Sequence, residues 1–335
     1  MRRTEVAIFV SIFLAGCIIP LDKDTLSHSS DASVPLIDSC VLFPSTTSEF
    51  SGGHSVDLPG GVTLWTFAGT PGSDGLLATI TRNSGGCGDE ISSLSIALPP
   101  TASDDSFAIP LDLVRSGDDI WQFYEAWRFD ASQPFGVRTI GRGVGKFNSK
   151  SGSFDHGTLI WLADRPNYGH SAALDGGWIY AWGCLSTNSG WDRACYAARV
   201  KPENVLQTDA WQYAMGNQQF SPNPDDAQPI LIHAGDLSMK RHRSGRWLAT
   251  YVNPLDTQIQ VRTALTPTGP FSNAFSLGTT TTEPGTFAVE ATRHPQLETA
   301  DNVVAVTYQL ANFAGLSAEK RRPRLAILPL PKDLP

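Results

Sequence analysis

The sequence predicts an all-β chain folded as a five-bladed β-propeller with about four antiparallel strands per blade. Three observations predict it. Short runs rich in Val, Ile, Trp, Phe and Tyr alternate with turn residues throughout a 335-residue chain that carries 30 Gly and 23 Pro, the pattern of short strands separated by tight turns. A β-rich segment that follows a polar turn recurs five times, beginning at residues 62, 119, 178, 246 and 303, so intervals of 57, 59, 68 and 57 separate them. Long helical patterns are absent: only Pro202 to Met215 reads as helical, and Trp211 and Tyr213 make even that stretch partly strand-like. A period near 60 residues holds about four strands, and one four-stranded sheet cannot bury both faces until neighbours stack around an axis. A β-sandwich with irregular loops is the alternative architecture.

In chain order, residues 1–16 read as a lipoprotein signal peptide. Val6 to Ala15 is an apolar run of ten, preceded by Arg2 and Arg3 and followed by Gly16 and Cys17, too short for a spanning anchor and laid out as an export signal. Leu14-Ala15-Gly16-Cys17 resembles the bacterial lipobox, which implies lipidation of Cys17, attachment to a membrane and residence in the bacterial cell envelope, at the outer membrane. Residues 17–45, rich in Ser and Asp with little periodicity, read as a lipidated tether, and 46–330 as the propeller domain. Setting Cys17 aside leaves Cys40, Cys87, Cys184 and Cys195, an even set suited to disulfides in an oxidising compartment. Four cysteines allow three connectivities; Cys184 with Cys195 and Cys40 with Cys87 is the favoured one.

The five repeated strands are Val62 to Phe67, Asp119 to Tyr124, Trp178 to Trp182, Arg246 to Tyr251 and Val303 to Tyr308. Each follows a turn such as Pro59-Gly60-Gly61 or Asp175-Gly176-Gly177, of the residue types that hairpins require, so each is the second strand of its blade. Third strands follow at Leu76 to Thr81, Val137 to Phe147, Ala194 to Val200, Ile259 to Leu265 and Arg324 to Leu328.

The core is well supplied, with 16 Phe, 7 Tyr and 9 Trp. The net charge of −8 leaves no basic stripe for phosphates, which excludes a nucleic-acid partner. Gly141-Arg-Gly-Val-Gly-Lys146 has the wrong spacing for a phosphate loop, with Phe147 at the hydroxyl position. Gly169-His-Ser171-Ala-Ala173 lacks the second glycine of a nucleophile elbow. No metal-ligand spacing of the His-Glu-x-x-His kind occurs, and no cofactor is indicated. A channel Ca²⁺ held by Asp and backbone oxygens is chemically admissible, but nothing requires it.

Several segments carry a family resemblance: Ser55 to Phe67, Tyr180-Ala-Trp-Gly183, Ala198-Arg199-Val200 with Asp209 to Tyr213, Asp236-Leu-Ser238 leading to Arg246-Trp247, and Thr263 to Phe271. From about Gly52 to Leu328 the chain resembles a bacterial family of five-bladed propellers, first described as a domain of unknown function, that includes endo-D-arabinanases. The resemblance implies a polysaccharide or other glycan as partner. One departure stands out. Where family members follow the first-blade aromatic strand with Gly-Asp-Thr, this chain has Ala68-Gly69-Thr70, so an expected first-blade acid is missing, and His54 stands where such propellers often place a carboxylate.

In a propeller the innermost strands line the axis, so polar residues near their starts or near the ends of the next strands converge on one mouth. This selects Glu125, Asp236 and Glu290 as catalytic candidates, since glycoside cleavage uses a pair of carboxyl groups, and His54, His170 and His294 as substrate-binding ones. The alternative roles are solvated or ion-paired acids, beside Arg128, Arg241 or Arg293, and packed imidazoles. Trp65, Trp121, Trp127, Trp178, Trp182 and Trp247 alternate along strands and read as core rather than as sugar-stacking faces. Two functions follow as expectations: an envelope lipoprotein whose glycosidase-like propeller hydrolyses a polysaccharide by carboxylate acid/base chemistry, or a non-catalytic glycan-binding or adhesion lipoprotein.

Overall fold

The computed structural model describes residues 35–42, 51–68, 76–81, 93–96, 106–133, 136–148, 153–154, 157–186, 193–312, 322–332 and 334. Alternation of apolar and polar residues along short, glycine-punctuated runs produces five antiparallel sheets in chain order. Sheet I comprises Ser51–Leu58, Val62–Ala68, Leu76–Thr81 and Ser93–Ile96; sheet II comprises Ser106–Ser116, Asp119–Phe129, Val137–Asn148 and Thr158–Leu162, with Ser153–Phe154 added beside its third strand. Sheet III comprises Ser171–Asp175, Trp178–Ser186, Arg193–Val200, Gln212–Ala214 and Phe220–Ser221, with Leu231–Ile232 also pairing on Arg193–Val200. Leu237–Arg241, Trp247–Val252, Gln258–Ala264 and Phe275–Thr279 form sheet IV. In sheet V, Thr286–Arg293, Val303–Asn312 and Arg324–Pro329 are completed on the outer edge by Cys40–Val41. The expected starts of the five second strands and both ends of the five third strands fall within one residue of these bounds, while three second strands run on past their expected ends, to Phe129, Ser186 and Asn312.

The first strands of the sheets touch in a closed ring, I to II to III to IV to V and back to I, which is a β-propeller. Each junction has its own apolar filling. Leu64 packs with Leu113, Ile120 and Phe154 between I and II, and Phe123, Trp161, Ile179 and Trp211 fill II against III. Trp182, Met239, Trp247 and Tyr251 lie between III and IV. Leu248, Ile259, Val304 and Tyr308 lie between IV and V, and Leu42, Leu325, Trp65 and Phe67 between V and I. The two-residue period of a strand explains this: on Trp178–Ser186, Ile179 and Ala181 face sheet II while Tyr180, Trp182 and Cys184 face sheet IV.

Two expectations change. Residues 35–42, read as the end of a tether, belong to the ring: the Ile37 amide donates to the Thr279 carbonyl at 2.8 Å, the Leu42 amide to Pro323 at 2.8 Å, and Ile37 and Leu42 are buried. The helical reading of Pro202 to Met215 gives way to two 3₁₀ turns, Pro202–Asn204 and Thr208–Ala210, and the strand Gln212–Ala214. Trp211 and Tyr213 are drawn into the apolar filling, so packing overrides local propensity. Cys184 and Cys195 are bonded; Cys87 lies outside the described residues, as do Cys17 and the signal segment. No helix among the described residues is long and apolar enough to cross a membrane.

Candidate functional site

Three of the five first strands carry a register irregularity where they line the axis: between Ser51 and His54 in sheet I, between Pro110 and Leu113 in II, and between Val289 and Thr292 in V. A bulge re-aims the side chains beside it, and these three present His54, Asp112 and Glu290. Glu290 adopts φ 56°, a left-handed conformation that is uncommon for a residue with a Cβ. Gly52 is what admits its carboxyl group, since a Cβ there would sit 3.0 Å from Glu290 Oε2. In sheets III and IV, His170 and Asp236 occupy the residue just before each first strand.

Asp236 is fixed on both oxygens. Asn167 Nδ2 donates to Oδ1 at 3.0 Å and Arg193 pairs with Oδ2. Burial alone would raise its pKa, but the charge of Arg193, then His170 and the Asn167 hydrogen bond, outweigh burial and hold Asp236 well below the usual carboxylate range. Glu290 goes the other way: burial, with a contribution from the charge of Asp236 and partly offset by His170, pushes it up to about 7. Its Oε2 atom is buried with no hydrogen-bond partner among the described residues, as are His170 Nδ1 and His54 Nδ1. The two imidazoles meet edge to face at 6.0 Å.

Below them lies a carboxylate that the sequence reading did not select. Asp112, 1% exposed, has Oδ1 3.6 Å from His54 Nδ1 and Oδ2 2.5 Å from Lys240 Nζ. The Ala172 amide also donates to Oδ2 at 2.7 Å. Despite burial, Lys240 and His54 hold Asp112 far below its ordinary value. Asp112, Lys240, Arg193 and Asn167 were the residues missed. The available signal was Asp112 itself, an acid inside the apolar run Ile109-Pro110-Leu111-Asp112-Leu113-Val114.

Asp236, Glu290, His170 and His54 thus come together through ring contacts and mutual electrostatic influence. Glu125 and His294 are placed otherwise. Glu125 lies on the second strand of sheet II, 4% exposed, with Oε1 2.5 Å from Arg142 Nη2; Arg142 also donates to the carbonyls of Ala163 and Arg165. A buried carboxylate committed to a guanidinium has a structural task. His294 is 1% exposed, its Nδ1 engages Ser55 Oγ at 2.5 Å and its Nε2 engages Thr307 Oγ1 at 2.7 Å. Burial, reinforced by the nearby positive groups His54 and Lys240, holds it well below the usual histidine range, so it is a neutral bridge between sheets I and V. Of the tryptophans, Trp65, Trp121, Trp182 and Trp247 are buried, and half-buried Trp178 lies under Arg199 and Lys201. Among the described residues no group of three or more His, Cys, Asp and Glu side chains is arranged to hold a metal ion.

This geometry can supply one ionised carboxyl, Asp236, and one that still holds its proton up to about neutral pH, Glu290, beside the imidazoles of His170 and His54. A family model described as a domain of unknown function, DUF4185, matches residues 146–308. No curated protein matches the chain. Among solved structures, a GH43_1 enzyme from Xanthomonas citri aligns with TM-score 0.56 at 14% identity, over 89% of this chain and 92% of the other. An α-L-arabinofuranosidase from Lactobacillus brevis aligns with TM-score 0.52 at 11% identity, over 86% and 92%. A GH43 β-xylosidase/α-arabinofuranosidase from a compost microbial metagenome, solved with xylotriose, aligns with TM-score 0.51 at 12% identity, over 90% and 96%. At such identities the likeness is one of fold, and the chain is a β-propeller of glycosidase-like architecture.

Proposed function

We propose that the protein is a glycoside hydrolase of the cell envelope, exported and tethered through Cys17, in which Glu290 is the general acid and Asp236 the ionised partner. The observation that carries this reading is the opposite displacement of two neighbouring carboxyls: Asp236 held ionised, Glu290 pushed up to about 7. A pair of carboxyl groups driven apart in this way can divide acid and base roles at one pH. Glycosidic cleavage needs one carboxyl to protonate the leaving oxygen and another to act as base or nucleophile. His170, whose Nδ1 has no hydrogen-bond partner among the described residues, and His54, paired on Nδ1 with Asp112, serve as hydroxyl-binding groups. Asp112, on the first strand of sheet II, pairs with His54 and Lys240 and is assigned no part in the proton transfers.

The test is hydrolysis of arabinan, xylotriose and β-1,3-linked galactans by the full chain. Glu290→Gln is expected to cut kcat by about 10²- to 10⁴-fold, the usual worth of general acid catalysis, and Asp236→Asn to abolish most turnover. Activity is expected to fall as pH rises through about 7, where Glu290 loses its proton. Saccharide binding without any product from the parent protein would replace this reading with the glycan-binding one, and turnover indifferent to both substitutions would remove the site assignment.

A further inference from the structure

We infer that the Cys184–Cys195 disulfide is the positioning device of the site, acting on Asp236 by anchoring both of the groups that grip its carboxylate. The inference rests on the reading of Asp236 as the site's ionised carboxyl. Cys184 and Cys195 are directly opposed on the second and third strands of sheet III, are bonded to each other and are almost fully buried. From this bridge three connections run to Asp236. The Cys184 amide donates to Asn167 Oδ1, the Asn167 amide donates back to the Cys184 carbonyl at 3.2 Å, and Asn167 Nδ2 holds Asp236 Oδ1 at 3.0 Å. Arg193, which holds Oδ2, precedes Cys195 by two residues on the same strand. Both sulfur atoms lie against the carbonyl oxygen of Gly235, the residue before Asp236, at 3.5 and 3.8 Å.

The position of the bridge in the ladder gives it this leverage. Ser186 pairs with Arg193 at the last rung between these strands, and Cys184 with Cys195 lies two rungs in. Ladder ends open most easily, so Arg193 would ride on a frayed end if only hydrogen bonds held it. The chain leading to Asp236 is fastened to the same strand: Leu231 pairs with Cys195, Ile232 with Ala194, and the His233 amide donates to the Arg193 carbonyl at 3.1 Å. A covalent bond at this point fixes Arg193, Asn167 and residue 235 relative to one another. A bridge that served only to hold sheet III together would have no particular effect on the Asp236 carboxylate.

The experiment uses the full chain with ¹³C-carboxyl-labelled aspartate, comparing the parent with Cys184→Ala/Cys195→Ala by NMR titration, with circular dichroism as the check on folding. The carboxylate faces Arg193, Asn167, His170 and Glu290, so its midpoint reads how firmly the first two are held. In the parent, Asp236 is expected to stay ionised through the accessible acid range. In the variant its midpoint is expected to rise into that range, while Asp112, gripped by Lys240 on a different sheet, stays low. An Asp236 midpoint as low as the parent's overturns the inference, and so does a parallel rise of Asp112, which would signify general loosening. Should the double variant fail to fold, Cys184→Val/Cys195→Val removes the bond while filling more of the space the sulfurs leave; a raised Asp236 midpoint supports the inference and an unchanged one overturns it. On a saccharide that the parent cleaves, loss of the bridge is expected to lower kcat by about 10- to 100-fold with KM little changed, as expected when a reacting group is displaced by about 1 Å. A parent inactive on every saccharide sinks the hydrolase reading alone, because the carboxylate titration needs no substrate.

Discussion

Glu290 shows how a single residue can be placed against its own preference. Its backbone sits at φ 56°, it is withdrawn from water, and one oxygen has no partner among the described residues. Each feature costs stability, and such costs persist where the surrounding structure imposes them. The consequence for stability has a definite sign. Glu290 has a pKa of about 7 in the fold against an ordinary 4.5, so between those values the folded protein binds more protons than the unfolded chain, and stability falls as pH rises through that window. Glutamine carries no charge to bury. Glu290→Gln is therefore expected to melt at a higher temperature than the parent at pH 8, with the difference shrinking at pH 5; a variant that melts lower at pH 8 would contradict the assignment. Asp112 is the opposite case, a buried acid whose partners keep it ionised. Sequence reading selected Glu290, Asp236 and Glu125 by one rule, proximity to the start of an inner strand or the end of the next, and so could not rank the first two against the third. What separates them is the partner, Arg142 for Glu125, and strand pairing in space decides that.

At the scale of the element, the site is built from departures from regular strand. Bulges in sheets I, II and V turn His54, Asp112 and Glu290 toward the axis, and the residues just before the first strands of III and IV supply His170 and Asp236. Gly235 marks how tightly the last of these is packed: a Cβ there would lie 1.8 Å from the Val252 carbonyl oxygen. Backbone has to shift to admit it, so Gly235→Ala is expected to cost about 1–3 kcal/mol in denaturant unfolding and to depress turnover through Asp236. A change below about 0.5 kcal/mol would show that the local packing is looser than described. Hairpins were legible because turn residues and two-residue alternation are local signals. Bulges were not, since one extra residue in a strand shows only against its partner. The Pro202 to Met215 segment misled for a related reason: its sequence permits a helix, while the apolar filling between sheets II and III takes Trp211 and Tyr213.

On the scale of the whole molecule, stability comes from a ring in which each sheet is buried by its two neighbours, with a separate apolar cluster at each of the five junctions. Closure depends on residues 35–42, which bond to the outer strand of sheet IV through Ile37 and to sheet V through Cys40–Val41 and Leu42. Leu42 lies with Trp65, Phe67 and Leu325 where the last sheet meets the first. Leu42→Ala is expected to lower stability by about 2–5 kcal/mol, the range for emptying a packed leucine site, measured by reversible denaturant unfolding; a loss under about 1 kcal/mol would mean that this segment does not hold the ring. The all-β class, the fivefold recurrence and the starts of the second and third strands could be read along the chain, because strand periodicity and turn chemistry are properties of neighbouring residues. Which acids share a mouth, the pairing of Asp112 with His54 and the addition of Cys40–Val41 to the last sheet emerge only from the folded chain. Those facts depend on contacts between residues as much as 285 positions apart, such as Cys40 and Leu325, and no local pattern encodes them.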